Sequence, residues 1–239
     1  MAGMDRRGMP KGERLSATVE NYLLCLYKLQ EDGVAVTLSR LSEHLRQLPI
    51  GELIGTSLPS VTGVLKRMQK EGLVESNAAK TFELTKRGSL LAEDMVRRHR
   101  LAECMLVDLL GVELHRAHAE AHRLEHAITP TLLTNIVGRL GNPKMSPYGR
   151  PIPGSGHEQP SSLAVPLSQA TSGCKYIVDR LPEENSDLLQ YLVTHNVVPE
   201  ADVWIEEIAP FRGVITFTTS EGTASVGYES AERILLRQV

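Results

Sequence analysis

Residues 57–74 read SLPSVTGVLKRMQKEGLV, and the fold class turns on how this stretch is read. Val61, Val64, Leu65 and Met68 recur at i, i+3, i+4 and i+7, which predicts a helix starting at Ser57 or Leu58 with one buried face. Gly72 is placed to stop it. The opposite face presents Ser60, Thr62, Gly63, Lys66, Arg67 and Lys70. Small residues near the N-terminal end let the backbone approach base edges. Hydroxyls and the helix N-terminus suit phosphate oxygens, and the basic residues further along suit the flanking DNA backbone. A solvated face of ordinary lysines would look the same on one helix alone, so the neighbouring segments decide.

Downstream, LVES (73–76) and TFELT (81–85) alternate as two short strands around polar residues 77–80. Upstream, Thr37 is placed to cap a helix carrying Leu38, Leu41 and Leu45, and a Leu- and Tyr-rich helix from Val19 to Gln30 ends at Asp32-Gly33. A long loop, LPIGELIGT (48–56), separates the second and third helices. Three helices followed by a hairpin is the order of a winged helix-turn-helix. Charge agrees: residues 1–100 hold 16 Lys/Arg against 12 Asp/Glu (+4), 101–180 hold 7 against 7, and 181–239 hold 3 against 10 (−7). A polyanion partner would therefore bind the N-terminal part.

From Lys86 to Leu140 the pattern is helical again. Leu90, Leu91, Met95, Leu101, Met105, Leu106, Leu109 and Leu110 offer more apolar surface than two or three helices can bury against one another, which a symmetric dimer would use. A proline-rich stretch between Pro143 and Pro166 reads as a linker or irregular strap. Beyond it, KYIVDRL, DVWIEEI, VITFTTS and ASVGYE read as strands and DLLQYLVTHN as a short helix, the pattern of a small β-barrel-like domain. The expected fold is thus mainly α with a small β domain: a winged helix-turn-helix over 1–85, a helical dimerisation domain over 86–142, a linker over 143–170 and a β domain over 171–239.

The chain has 239 residues, and no apolar run approaches the roughly 18 needed to span a bilayer. The N-terminus lacks the apolar core of a secretory signal, so a cytoplasmic protein with no membrane partner is expected. Cys25, Cys104 and Cys174 are odd in number and widely spaced, which argues against a disulfide framework.

Residues 115–128, HRAHAEAHRLEHAI, carry four of the chain's eight histidines. At about 100° per residue His118, His122, Glu125 and His126 share one helix face, but His118 and His126 lie about 12 Å apart along the axis, too far for one ion. His122, Glu125 and His126 form a compact trio at i, i+3 and i+4. On the preceding helix His99 and Glu103 stand at i, i+4, and antiparallel packing through a connection at Gly111 would let them meet His118 as a second set. Nitrogen and oxygen donors without an obvious thiolate suit Mn²⁺, Fe²⁺, Co²⁺ or Zn²⁺. His122–His126 also matches H-x-x-E-H, the inverted zinc-peptidase motif, in which the glutamate is a general base. That reading leaves His99, Glu103 and His118 unexplained and gives the winged helix no role. A metal sensor, whose ions staple helices and pass the strain to a DNA-binding domain, accounts for every feature.

At these residues the sequence resembles the diphtheria toxin repressor and manganese transport regulator family of metal-dependent regulators. The resemblance lies in TVENYLLCLYKL (18–29), PSVTGVLKRMQKEGLV (59–74), RRHRLAE (97–103), HAEAHRLEH (118–126) and SPYGRPIPG (146–154). The last string is telling, since helix patterning gives no reason for it. The resemblance implies a non-enzymatic homodimer with no small-molecule substrate. Loaded with metal, it would bind palindromic operator DNA and repress metal-uptake genes. It implies a C-terminal SH3-like β-barrel and two ions per subunit. Asn21, His122, Glu125 and His126 would form the primary site, and His99, Glu103 and His118 the ancillary one, with Glu183 and Glu184 as further candidates for the ancillary ion. Ser57, Pro59, Ser60, Thr62, Gly63, Lys66 and Arg67 would face DNA. Iron-type members place methionine and cysteine at the positions of Asn21 and His122, and manganese-type members place carboxylates. This chain has neither set, and the absence of sulfur favours Mn²⁺, with Fe²⁺ as the alternative. Loop 48–56 is longer than the family's turn.

Overall fold

A computed structural model of the chain describes residues 15–48, 55–156 and 164–238, so residues 49–54 of the long loop lie outside the described residues. The described chain divides into two compact units. One runs to His99 and takes in His122–Thr129, and the other comprises Arg100–Ala121 and the residues from Pro130 onward.

The first unit opens with helix α1 (Ala17–Glu31), capped by the Ser16 hydroxyl, which accepts from Val19 N–H. Helix α2 (Leu38–Gln47) is capped in the same way by Thr37, and helix α3 (Leu58–Lys70) by Ser57. Each cap satisfies an N–H that the first helical turn cannot pair. Tyr22, Leu23 and Leu26 of α1, Leu41 and Leu45 of α2, and Val61, Leu65 and Met68 of α3 bury one shared core. Strands β1 (Val74–Ser76) and β2 (Phe82–Leu84) pair antiparallel, Val74 opposite Leu84. The turn between them closes where Asn77 Oδ1 accepts from Ala79 and Thr81 N–H. Phe82 N–H donates to Val36 O at 2.8 Å, tying the wing to the helices. Helix α4 (Lys86–Cys104) follows, and its start is fixed sterically: a Cβ on Gly88 would sit 1.9 Å from Leu73 O. The winged helix-turn-helix predicted from the α3 stretch is the fold of this unit.

After α4 the backbone passes through a π-helical turn, Met105–Leu109, and then helix α5 (Leu114–Leu124). Residues Glu125–Ala127 tighten into a 3₁₀ turn, so the histidine stretch is not one uniform α-helix. Helix α6 spans Pro130–Arg139.

The second unit's β domain is built from β3 (Ala164–Pro166), β4 (Lys175–Arg180), β5 (Asp202–Ala209), β6 (Val214–Thr219), β7 (Gly222–Gly227) and β8 (Leu235–Gln238). They form one antiparallel sheet in the order β3-β8-β4-β5-β6-β7. Helix α7 (Ser186–Thr194) and the short α8 (Tyr228–Ala231) accompany it, and Val178, Leu189, Leu192, Ile205, Ile215 and Phe217 lie in its core. The barrel expected from the strand pattern is not closed, because β3 and β7 remain as edges. β3 is three residues long and ends in Pro166, which has no N–H to offer a further strand. Among the described residues no helix is long and apolar enough to cross a membrane, and all three cysteines are free thiols.

Candidate metal centre

In the first unit the end of α5 and its 3₁₀ turn bring three imidazoles to one carboxylate. Glu125 is fully buried, with Oε2 2.5 Å from His99 Nδ1, Oε1 3.2 Å from His122 Nδ1, and Oε1 3.5 Å from His126 Nε2. Burial alone would raise its carboxyl, but the charges and hydrogen bonds of His122 and His99 outweigh burial and hold it well below the ordinary carboxylate range. The His99 and His122 rings lie 4.5 Å apart.

His126 reaches α1. Its Nδ1 lies 2.7 Å from Glu20 Oε2, and its Nε2 is 3.2 Å from Asn21 Nδ2. The amide N–H can only donate, so the consistent tautomer has Nδ1–H donating to Glu20 and a lone pair on Nε2. That is the form in which an imidazole binds a metal, with a carboxylate orienting the other nitrogen. Glu20 is held in turn by Arg98, whose Nη2 is 3.0 Å from Glu20 Oε1 and whose Nη1 donates to Glu125 O at 3.4 Å. Burial acts to raise the Glu20 carboxyl, yet His126 and Arg98 leave it below its ordinary value. Asn21 Nδ2 also donates to Ala17 O, while its buried Oδ1 has no hydrogen-bond partner among the described residues. A buried amide oxygen left so is costly, and a cation would satisfy it. The donor set therefore fits a divalent ion of intermediate hardness.

Glu20 and Arg98 were not singled out from the sequence. The available signal was Glu20 beside Asn21 in TVENY, but an acid in the first turn of a helix is also what the helix dipole favours.

In the second unit Glu103, His118 and Glu183 each offer one ligand atom, all within 4.8 Å of one another. All three residues are buried, and His118 Nδ1 is 2.9 Å from Glu103 Oε1. The Tyr148 ring stands edge-on to His118 at 6.2 Å. Glu184 is not brought there: its Oε2 pairs with Arg233 at 2.9 Å. Burial pushes the Cys104 thiol up, and neighbouring Glu103 adds to the effect, so it stays protonated and points at Met145 O. His115 lies outside both groups, 3.7 Å from Glu113.

On α3, Ser57, Pro59, Ser60, Gly63, Lys66 and Arg67 are exposed and Thr62 is half-buried. Thr62 Oγ1 donates to Leu58 O, and Ser57 Oγ lies 2.8 Å from Ser60 Oγ. A Cβ on Gly63 would meet nothing within 4 Å. The fold does not require glycine there, although glycine costs a helix interior about 1 kcal/mol relative to alanine. A partner approaching closely is a reason to keep it.

Comparison with known proteins joins these parts. Residues 14–81 match the iron dependent repressor N-terminal DNA binding domain, residues 85–154 the iron dependent repressor metal binding and dimerisation domain, and residues 165–238 the FeoA domain. The iron-dependent repressor IdeR of Mycobacterium leprae is 32% identical over 93% of this chain and 97% of its own length. Among solved structures, a manganese-dependent transcriptional repressor in complex with manganese is 28% identical, with a TM-score of 0.80 over 92% of this chain and all of that one. The manganese regulator SloR is 26% identical, with a TM-score of 0.72 over 94% of this chain and all of that one. The peptidase reading of His122–His126 finds no support here. Its physical difficulty is that Glu125 is buried with both carboxylate oxygens engaged by histidines, which leaves neither directed at a water or a substrate. A winged helix matching the family's DNA-binding domain, followed by a segment matching its metal-binding and dimerisation domain, makes this chain a member of the diphtheria toxin repressor and manganese transport regulator family of non-enzymatic, metal-dependent transcriptional repressors.

Proposed function

We propose that the protein is a cytoplasmic, homodimeric repressor activated by Mn²⁺, with Fe²⁺ as the alternative, that binds palindromic operator DNA and controls metal-uptake genes. The observation that carries this reading is that His126 sits between Glu20 and Asn21 of α1, so the histidine cluster is built directly onto the helices of the DNA-binding fold. Asn21, His122, Glu125 and His126 would hold the primary ion, and Glu103, His118 and Glu183 a second, with His99 one turn before Glu103 on α4 as a further candidate. A bound divalent ion supplies a doubly positive centre that these nitrogen and oxygen donors can share. Asn21 would offer its amide oxygen, Glu20 would keep the His126 lone pair directed, and Glu125 would supply the negative charge. Sharing one ion would join α1 to residues 122–126 and restrict the helices that carry α3. Affinity for metal and for operator would then be coupled reciprocally.

The absence of sulfur among these donors supports Mn²⁺, because a site of N and O ligands lacks the softness that favours Fe²⁺. Leu109, Leu110 and Leu132, exposed in the single chain, support self-association, and a two-fold dimer would present two α3 helices to successive major grooves. Electrophoretic retardation of a palindromic promoter fragment, titrated with Mn²⁺, Fe²⁺ and Zn²⁺ against a chelator control, tests the reading. Retardation that is indifferent to metal would overturn it.

A further inference from the structure

The second cluster sets two buried carboxylates beside the proline-rich strap. Glu103 and Glu183 are buried carboxylates whose ligand atoms lie within 4.8 Å of each other and of that of His118. Like charges this close in a dry site repel, and a buried charge without a counter-charge is strongly destabilising. A counter-charge comes from the proline-rich strap: Arg150 Nε lies 3.5 Å from Glu183 Oε2, with side chains only 7% and 1% exposed.

The strap holds Arg150 in place. Ser146 N–H donates to Arg150 O at 2.7 Å, and Ser146 Oγ accepts from the N–H groups of Tyr148 and Arg150. Tyr148 OH donates to Leu114 O at 2.7 Å, one turn before His118, while Leu181 N–H donates to Tyr148 O at 3.0 Å, two residues before Glu183. Gly149 has φ +82° and a Cβ there would lie 2.0 Å from Asp179 O, so only glycine lets the strap lie this close. One rigid turn thus registers Arg150 against both segments that carry the cluster.

We infer that Arg150 is an internal counter-cation for Glu183 in this cluster: it pairs with Glu183 when no ion is bound, opposes the entry of a divalent ion, and so raises the metal concentration at which the site fills. The inference rests on the proposal that Glu103, His118 and Glu183 hold an ion. A fixed guanidinium beside an incoming dication is repulsive, whereas a neutral side chain of similar length is not. Without the ion, the same guanidinium keeps the two carboxylates from repelling each other.

The test uses the full chain carrying His122→Ala, which disables the first cluster, stripped with chelator and titrated with Mn²⁺ against a fluorescent indicator. Thermal unfolding is recorded in chelator and in excess Mn²⁺. In that background Arg150→Gln should bind Mn²⁺ at least about tenfold more tightly. It should melt lower in chelator and gain more from Mn²⁺, while Arg150→Lys should stay near the parent. Unchanged or weaker binding by Arg150→Gln overturns the inference. If Arg150→Gln does not fold, Glu183→Gln is compared with the double variant Glu183→Gln/Arg150→Gln, which leaves no buried charge unpaired at these two positions. The double variant should bind more tightly, and equality overturns the inference. His118→Ala separates the two levels. If it leaves the wild-type ion count unchanged, the underlying site reading fails. If it removes one ion while Arg150→Gln has no effect on affinity, only the role of Arg150 fails.

Discussion

In the first cluster one carboxylate, Glu125, is shared by His99 and His122, and a second, Glu20, is divided between His126 and Arg98. In the second cluster two carboxylates, Glu103 and Glu183, meet His118, and Arg150 of the strap pairs with Glu183. The residue types are the same, but the segments that supply their partners are not. In the first cluster His122 and His126 are themselves proposed ligands, and His126 reaches Glu20 on α1, so its filling should be felt by the DNA-binding fold. In the second, Glu183 pairs with a guanidinium that cannot bind metal, so its filling should be felt by the strap.

The contrast can be broken from its strong end. Glu125→Gln keeps the shape but removes the charge that three imidazoles face, and it should abolish Mn²⁺-dependent operator binding, a loss of about a hundredfold or more by gel shift. A folded variant, checked by circular dichroism, that still responds to Mn²⁺ would sink the assignment. Glu20→Gln should come next: without the carboxylate that orients His126, Mn²⁺ affinity should fall about ten- to a hundredfold, the usual effect of losing such a partner. Unchanged affinity by indicator competition would show that Glu20 serves only the helix and Arg98. His118→Ala should remove one ion from the calorimetric count and raise the Mn²⁺ needed for operator binding by about tenfold without abolishing it. Complete loss of activation would mean that the clusters do not play the separate parts described.

The smallest effect concerns two helical glycines. Gly63→Ala should raise thermal stability slightly, by up to about 1 kcal/mol, since space for the methyl is open, while weakening operator binding several-fold at unchanged metal affinity. Gly88→Ala should instead destabilise the fold, because its methyl would collide with Leu73 O. Unimpaired operator binding by Gly63→Ala would remove close backbone approach from the account of α3.

The winged helix was legible because its signals are local: a 3.6-residue apolar period in α3, a cap at Thr37, and two alternating strands around a polar turn. His122, Glu125 and His126 stood out by spacing, although the structure turns the last two on a 3₁₀ rather than an α-helical step. Asn21 carried no signal of its own and entered only through resemblance. Glu20 was missed because its role depends on a histidine more than a hundred residues away. Glu183 and Glu184 could not be told apart in sequence. In the structure one faces His118 and Glu103 while the other pairs with Arg233. The strands β3 and β8 were not foreseen, since a three-residue segment ending in proline and a four-residue segment with two charged or polar positions carry little alternation.

Periodicity, capping residues and ligand spacing, all properties of neighbours along the chain, determined the helices, the exposed polar and basic face of α3 and the presence of histidine–carboxylate sets. Tertiary structure decided which carboxylate each imidazole meets, that Glu20 backs His126, that Arg150 faces Glu183, and that the sheet stays open. The physical reason is that a helix or strand is specified by interactions a few residues apart, whereas charge balance in a buried site depends on groups far apart in sequence that only packing brings within a few ångströms.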